Sequence, residues 1–273
     1  ACITDYHTLD ADKSVPDRAS LEKSLSTIES KQSQIIDRLL RERRIRDGDK
    51  PDLASMVALM RTRIPSFKRY IQESLRLMLV STMDVLEEHG RLPEPPDSIK
   101  QYLKGRVSDN LDIEISNWML LRYMFDAAIH SRLAQILSST NLVLVEAAAS
   151  ADFVTSDSPV AIYQPSPTTP SGLFRPLFDP ITEYWLPISS KLGILYRSEP
   201  AGTLLKASEE ETAELNRRQI ISSAEYLYSS TNNGKGVLMI PQYCSQSSGF
   251  SMQKMEHGGR SQIISVFQTV SKA

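Results

Sequence analysis

At Asn141 the sequence changes texture, and that change limits the fold more than any other feature. Upstream, apolar residues recur every three or four positions. In "DRASLEKSLSTIESKQSQIIDRLLRERRIRDGD", Leu21, Leu25, Ile28, Ile35, Ile36 and Leu39 draw one stripe of an amphipathic helix. Asp47-Gly48-Asp49 closes it, and Pro51 opens a short second helix, where a first-turn proline is tolerated. A third helix is predicted from Pro65 to about His89, and a fourth, central one over "NLDIEISNWMLLRYMFDAAIHSRLAQILSS". Downstream the apolar runs shorten. "LVLVEAA", "DFVTS", "PVAIYQ", "EYWLPIS", "KLGILYRS", "KGVLMIPQY" and "RSQIISVFQTV" read as strands divided by Pro, Gly and Ser. One helix, at about 208–224, interrupts them, with Ser208 as N-cap and three glutamates in its first turn. Helices followed by strands predict an α+β fold: about four long helices packed on a small mixed or antiparallel sheet crossed by one helix. A helical half, 1–140, and a strand-rich half, 141–273, are expected to form one integrated domain.

Composition narrows the class of protein. Of 273 residues, 41% are hydrophobic and 23% charged, enough apolar material for a sizeable core. The net charge of -2 does not favour nucleic acid as a partner. No apolar run reaches the ~18 residues that cross a bilayer, so no membrane partner is expected. Cys2 and Cys244 cannot make a disulfide framework, and free thiols suit a reducing, cytoplasmic setting. The opening "ACITDYHTLDADK" has no secretory pattern and no initiator methionine, and reads as a processed or truncated start.

Chemistry, if any, gathers at strand ends. In "ADFVTSDSPVAIYQP", Thr155, Ser156, Asp157 and Ser158 stand between two strand-like runs. Asp157 there suits a general base or a metal ligand. Equally, its side chain can accept backbone N–H bonds and fasten a tight turn. Glu183 is the second candidate carboxylate, with Asp179 nearby. The lysine that a metal-dependent nuclease core needs beside it is replaced by Tyr184 and Trp185, and Lys191 would have to be recruited. His7, His89, His130 and His257 show no ligand spacing, and Cys244 has no Cys or His neighbour in sequence. No P-loop, G-x-S-x-G or G-x-G-x-x-G is present, so neither cofactor nor metal is named by motif. "RLLRERRIR", Arg38 to Arg46, is the one basic cluster, readable as a phosphate contact or as a solvated helix end. Asn216, disfavoured inside a helix, is expected to bond something specific, such as the Thr155–Ser158 turn, with Arg217 beside it.

Three stretches, "FVTSDSPVAIY", "EYWLPISSKLGILY" and "AELNRRQIISSAEYLYSS", resemble in order and spacing the uncharacterised family catalogued as domain of unknown function 4238. Thr155, Ser156, Asp157, Pro159 and Val160 fit its first motif, with Ser158 where Asn is usual. Pro187, Ile188 and Ser189 fit the second, with Ser190 replacing a proline, and Leu215, Asn216 and Ala224 to Ser230 fit the third. Glu22 and Glu29 in "LEKSLSTIES" resemble the family's acidic-helix middle. Members open with a His-Tyr-Val-Pro-Gln element. Nothing here matches it, so a partner segment absent from this chain is expected to carry it. Two functions stay open. One is a hydrolase-like enzyme acting on a small-molecule or phosphodiester bond, with catalytic Asp157 and Glu183 and with Thr155, Ser156, Ser158, Asn216 and Arg217 binding substrate. The other is a non-catalytic module binding protein or ligand.

Overall fold

A computed structural model describes residues 20–100, 114–115, 132–165, 179, 181–200, 202–232, 234–257 and 260–271. Its architecture is α+β, as the change of texture predicts. Helix α1 (Ser20–Glu42) buries Leu25, Ile35 and Leu39, the predicted stripe. It ends where Arg43 enters the left-handed region at φ 53, a position glycine usually fills. A 3-10 turn, Asp47–Asp49, leads into α2 (Lys50–Thr62), and Pro65 opens α3 (Pro65–Glu88). A short α4 (Asp97–Lys100) follows, then α5 (Arg132–Ser139), the end of the predicted central helix; Glu114 and Ile115, near its predicted start, are described and not helical. Trp118, Leu121 and Phe125, expected on that helix, lie outside the described residues.

Five strands form the main sheet: β1 (Asn141–Glu146), β3 (Ala161–Tyr163), β4 (Glu183–Pro187), β5 (Leu192–Arg197) and β6 (Leu204–Lys206). A separate pair joins β2 (Thr155–Ser156) to β7 (Leu227–Tyr228). The main order is β3-β4-β5-β1-β6, antiparallel except for β1 beside β6, so the sheet is mixed.

Side chains alternate across a strand, so a strand buried on both faces reads as an unbroken apolar run. That is why "LVLV" and "GILY" carry no polar positions. Leu142, Leu144, Tyr184, Leu186, Ile194 and Tyr196 face one way, against α1, α2 and α5. Val143, Val145, Trp185 and Leu195 face the other way, with Phe153 and Leu215. Leu215 lies on α6 (Glu209–Ser222), the predicted crossing helix. Ser208 caps it as expected: its Oγ accepts from Glu211 N (3.1 Å), while Glu211 accepts from Ser208 N (2.7 Å). Gly193 answers a packing demand. A Cβ there would lie 2.0 Å from the ring of Trp185, which is wholly buried.

One expectation fails in the last forty residues, and one strand there was not expected. "KGVLMIPQY" forms no strand but two short helices, α7 (Lys235–Leu238) and α8 (Ile240–Tyr243). A brief apolar run does not by itself distinguish strand from helix, and Pro241 sits in the first turn of α8, where its missing N–H costs nothing. The strand over "RSQIISVFQTV" is present as β9 (Arg260–Ser271). Its partner β8 (Gln246–His257) is too polar to read as a strand alone, but it pairs with β9 from Gln246↔Ser271 to His257↔Arg260. Strand β6 was likewise not foreseen.

Candidate functional site

One stripe of α6 is polar although it is buried. Thr212, Asn216, Gln219 and Ser223 recur at steps of four, three and four, and each is 4% exposed or less. Buried polar groups require partners; Ser223 Oγ donates to Ile220 O (2.7 Å), and the chain between β1 and β3 supplies partners for the other three. Thr212 Oγ1 accepts from Ala148 N (3.1 Å) and donates to Ser208 O (2.8 Å). One turn on, Asn216 Oδ1 accepts from Val154 N (3.0 Å) and its Nδ2 donates to Asp152 O (2.8 Å). Its amide thus stands where a neighbouring strand would. A further turn on, Gln219 Nε2 donates to Ser156 Oγ (2.7 Å) and Ser158 O (2.9 Å). Ser156 Oγ in turn accepts from Ser158 N and donates to Ser158 O, closing the turn. Asn216 was expected to bond the Thr155–Ser158 turn; it holds the residues just ahead of it, and Gln219 holds the turn.

Asp157 completes this seam at the end of α6. Its Oδ1 accepts from Ala224 N (2.9 Å), and its Oδ2 from Glu225 N (2.8 Å) and Tyr226 N (3.2 Å). Its own N–H donates to Tyr226 O (3.1 Å). All three side-chain bonds are to backbone. They fix the chain as it leaves the helix and enters β7, which pairs Thr155 with Tyr228 and Ser156 with Leu227.

Glu183 is held elsewhere. Its Oε2 accepts from Arg218 Nη1 (2.6 Å), and Arg197 lies 3.8 Å from Oε1. Arg218 also stacks over Tyr163, 3.8 Å from the ring centroid, and bonds Glu214 (3.0 Å). Arg217 makes a two-pronged pair with Glu214 at 2.6 and 2.8 Å. Burial pushes the Glu214 carboxyl up, but hydrogen bonds from Arg217 and Arg218 and their charges prevail, holding it below its usual value. The same pair holds Arg217 above its own usual value. Among the described residues no hydrogen bond or ion pair joins Asp157 to Glu183, and no group of three or more His, Cys, Asp or Glu could hold a metal ion. Lys191 is not recruited to Glu183 either. Its Nζ meets Asp152 Oδ1 (3.0 Å), Ala151 O (2.6 Å) and Ala149 O (3.2 Å). Asp179 Oδ1 accepts from Ile181 N (3.0 Å).

The basic cluster is also structural in its bonds. Arg38 pairs with the buried Asp49, and Arg46 with Glu42 at 2.8 and 2.9 Å. His89 Nδ1 lies 2.7 Å from Val85 O, and Cys244 is free and exposed. His7, His130 and Cys2 lie outside the described residues.

Beside the seam is a cleft of about 320 Å³. Three segments form it: Phe153 to Thr155, Pro187 to Ser190, and Tyr228 to Ser230. Phe153, Val154 and Ile188 give it an apolar floor, and hydroxyls surround that floor. Phe153 rests edge-on against Trp185, with ring centroids 4.7 Å apart, so the floor is anchored in the sheet's core. Of the site residues singled out from the sequence, Thr155 lines this cleft; Ser156, Ser158 and Asn216 are turned into the seam.

The three walls come from the same three stretches that carry the family likeness. A sequence profile described as "Protein of unknown function (DUF4238)" matches residues 1–233. The chain belongs to the DUF4238 family. The match takes in every residue of the seam and the cleft, and stops before α7. No curated protein and no solved structure matches the chain. No helix among the described residues is long and apolar enough to cross a membrane.

Sequence reasoning passed over Gln219, Thr212 and the walls at Ser190 and Tyr228. A signal for the first two was there. Polar residues at 212, 216, 219 and 223 keep helical phase beside Leu215 and Ile220, and such a stripe next to apolar residues asks for buried partners.

Proposed function

We propose that this chain is a non-catalytic ligand-binding module of the cytoplasm, whose ligand occupies the cleft between Phe153–Thr155, Pro187–Ser190 and Tyr228–Ser230. The helical and strand-rich halves act as one unit in this reading, supported by the apolar core that α1, α2 and α5 share with the sheet. The observation that carries the proposal is the division of labour inside the three family-like stretches. Their inward polar groups, Asp157, Ser156, Asn216 and Gln219, bond backbone or one another. Their outward groups converge on one cleft. A general base must be free to reach a proton on its substrate, whereas Asp157 has both oxygens bound to N–H groups.

Mapping by 15N-edited NMR with a library of small polar fragments tests this. Shifts clustered at residues 153–155, 187–190 and 228–230, without turnover, support the module. The competing hydrolase reading would be upheld by cleavage of bis(p-nitrophenyl) phosphate, with or without Mg²⁺, that Glu183→Gln abolishes while the variant stays folded.

A further inference from the structure

We propose that the ligand of this cleft is an uncharged, polyhydroxylated ring of about monosaccharide size; this rests on the reading of the cleft as a binding site. Charge gives the first argument. Among the described residues no charged side chain lines the cleft. Lys191 and Asp152, next in sequence to the lining residues Ser190 and Phe153, neutralise each other at 3.0 Å. Lys191 spends its other donors on two carbonyls, and Asp152 accepts from Ser230 at 3.2 Å. An anion placed here would lose its water without meeting a cation, at a cost of several kcal/mol or more.

The second argument is the supply of hydroxyls. Ser189 Oγ already accepts from Lys191 N and Leu192 N, and Ser229 Oγ from Thr231 N. Among the described residues the side-chain hydroxyls of Thr155, Ser190 and Tyr228 have no protein partner. Thr155 and Tyr228 are direct cross-strand partners, so they share a face of the β2–β7 ribbon. Each can donate and accept, which suits ligand hydroxyls. Tyr228 is 49% exposed and offers its ring as well.

Shape supplies the third. A sugar-like ring has a C–H face that packs on the half-exposed Tyr228 ring, and a rim of hydroxyls for the cleft's edge. The volume sits at the low end for small-molecule sites. An extended peptide fits less well, since β2 and β7 have two residues each and offer little edge to pair with.

Saturation-transfer NMR on the whole chain would use glucose, N-acetylglucosamine and myo-inositol, with glucose 6-phosphate as the charged counterpart. The expected result is transfer to at least one neutral ring, without gain from the phosphate. Affinity should fall about tenfold in Tyr228→Ala, and about two- to tenfold in Thr155→Val or Ser190→Ala, as for one lost hydrogen bond. Tyr228→Phe, which keeps the ring, should lose less than Tyr228→Ala, and circular dichroism checks that each variant is folded. Binding of the phosphate form alone, or neutral binding indifferent to all four variants, overturns the proposal. If no neutral ring binds while fragments still shift cleft residues, the ligand class is wrong and the binding module stands. If no compound shifts the cleft, both fall.

Discussion

On the face of the sheet covered by α1, α2 and α5, contact is by Leu, Ile, Val, Ala, Met and two tyrosines. On the face covered by α6, a smaller apolar patch around Trp185 is joined to a line of hydrogen bonds running from Thr212 to Asp157. The two faces do different work. Apolar packing is non-directional and tolerates exchanges that conserve volume. A buried ladder of side chain to backbone bonds has one satisfying register, so it sets where residues 148–158 lie on the helix. The cleft lies beside that ladder, which holds Val154 in one of its walls and the chain leading to Tyr228 in another.

The comparison can be broken at several points. The largest effect is expected where the α6 face is most tightly packed. Gly193→Ala drives a methyl group into the immobile Trp185 ring and should cost about 3 kcal/mol or more, read by chemical denaturation. Next comes Asn216→Leu. It keeps the volume and apolar character that the opposite face would accept, yet strands Val154 N–H and Asp152 C=O. A loss of about 2–3 kcal/mol is predicted from unmet backbone groups. An unchanged midpoint would put the ladder on a par with the apolar face.

Acid titration gives a smaller effect. Glu214 has its folded pKa held below the usual value, so its contribution is present above about pH 4.5 and is lost as pH falls through the folded pKa. The stability gap between wild type and Glu214→Gln should be under about 1 kcal/mol at neutral pH and should close in acid. A gap that persists in acid contradicts this. The smallest effect should have the opposite sign. On the α1, α2, α5 face the Tyr196 hydroxyl is buried without a partner among the described residues. Tyr196→Phe should be neutral, or stabilise by up to about 1 kcal/mol, the opposite of the loss expected for Asn216→Leu.

Much of this was legible in the sequence, for reasons that separate the two faces again. The α1 stripe, the Ser208 cap and the unbroken apolar runs of β1 and β5 follow from period and chemistry within a few residues. Strand β8 did not, because its place depends on β9, more than ten residues away along most of its length. The Thr155–Ser158 segment announced a fastened turn but could not name its partner, since the groups that bind Asp157 lie 67 to 69 residues on. The cleft was hidden for the same reason: Ser190 and Tyr228 are ordinary residues until Phe153 is brought beside them.

The most direct test of the account is amide hydrogen exchange in wild type and Asp157→Asn. The substitution preserves shape and leaves one acceptor oxygen where there were two. If Asp157 is a fastener, exchange at Ala224, Glu225 and Tyr226 should quicken by about tenfold or more, in line with losing hydrogen bonds to a charged acceptor, while Leu144 and Ile194 in the sheet keep their protection. Unchanged protection at those three amides would contradict the claim and return Asp157 to the list of groups free to do chemistry.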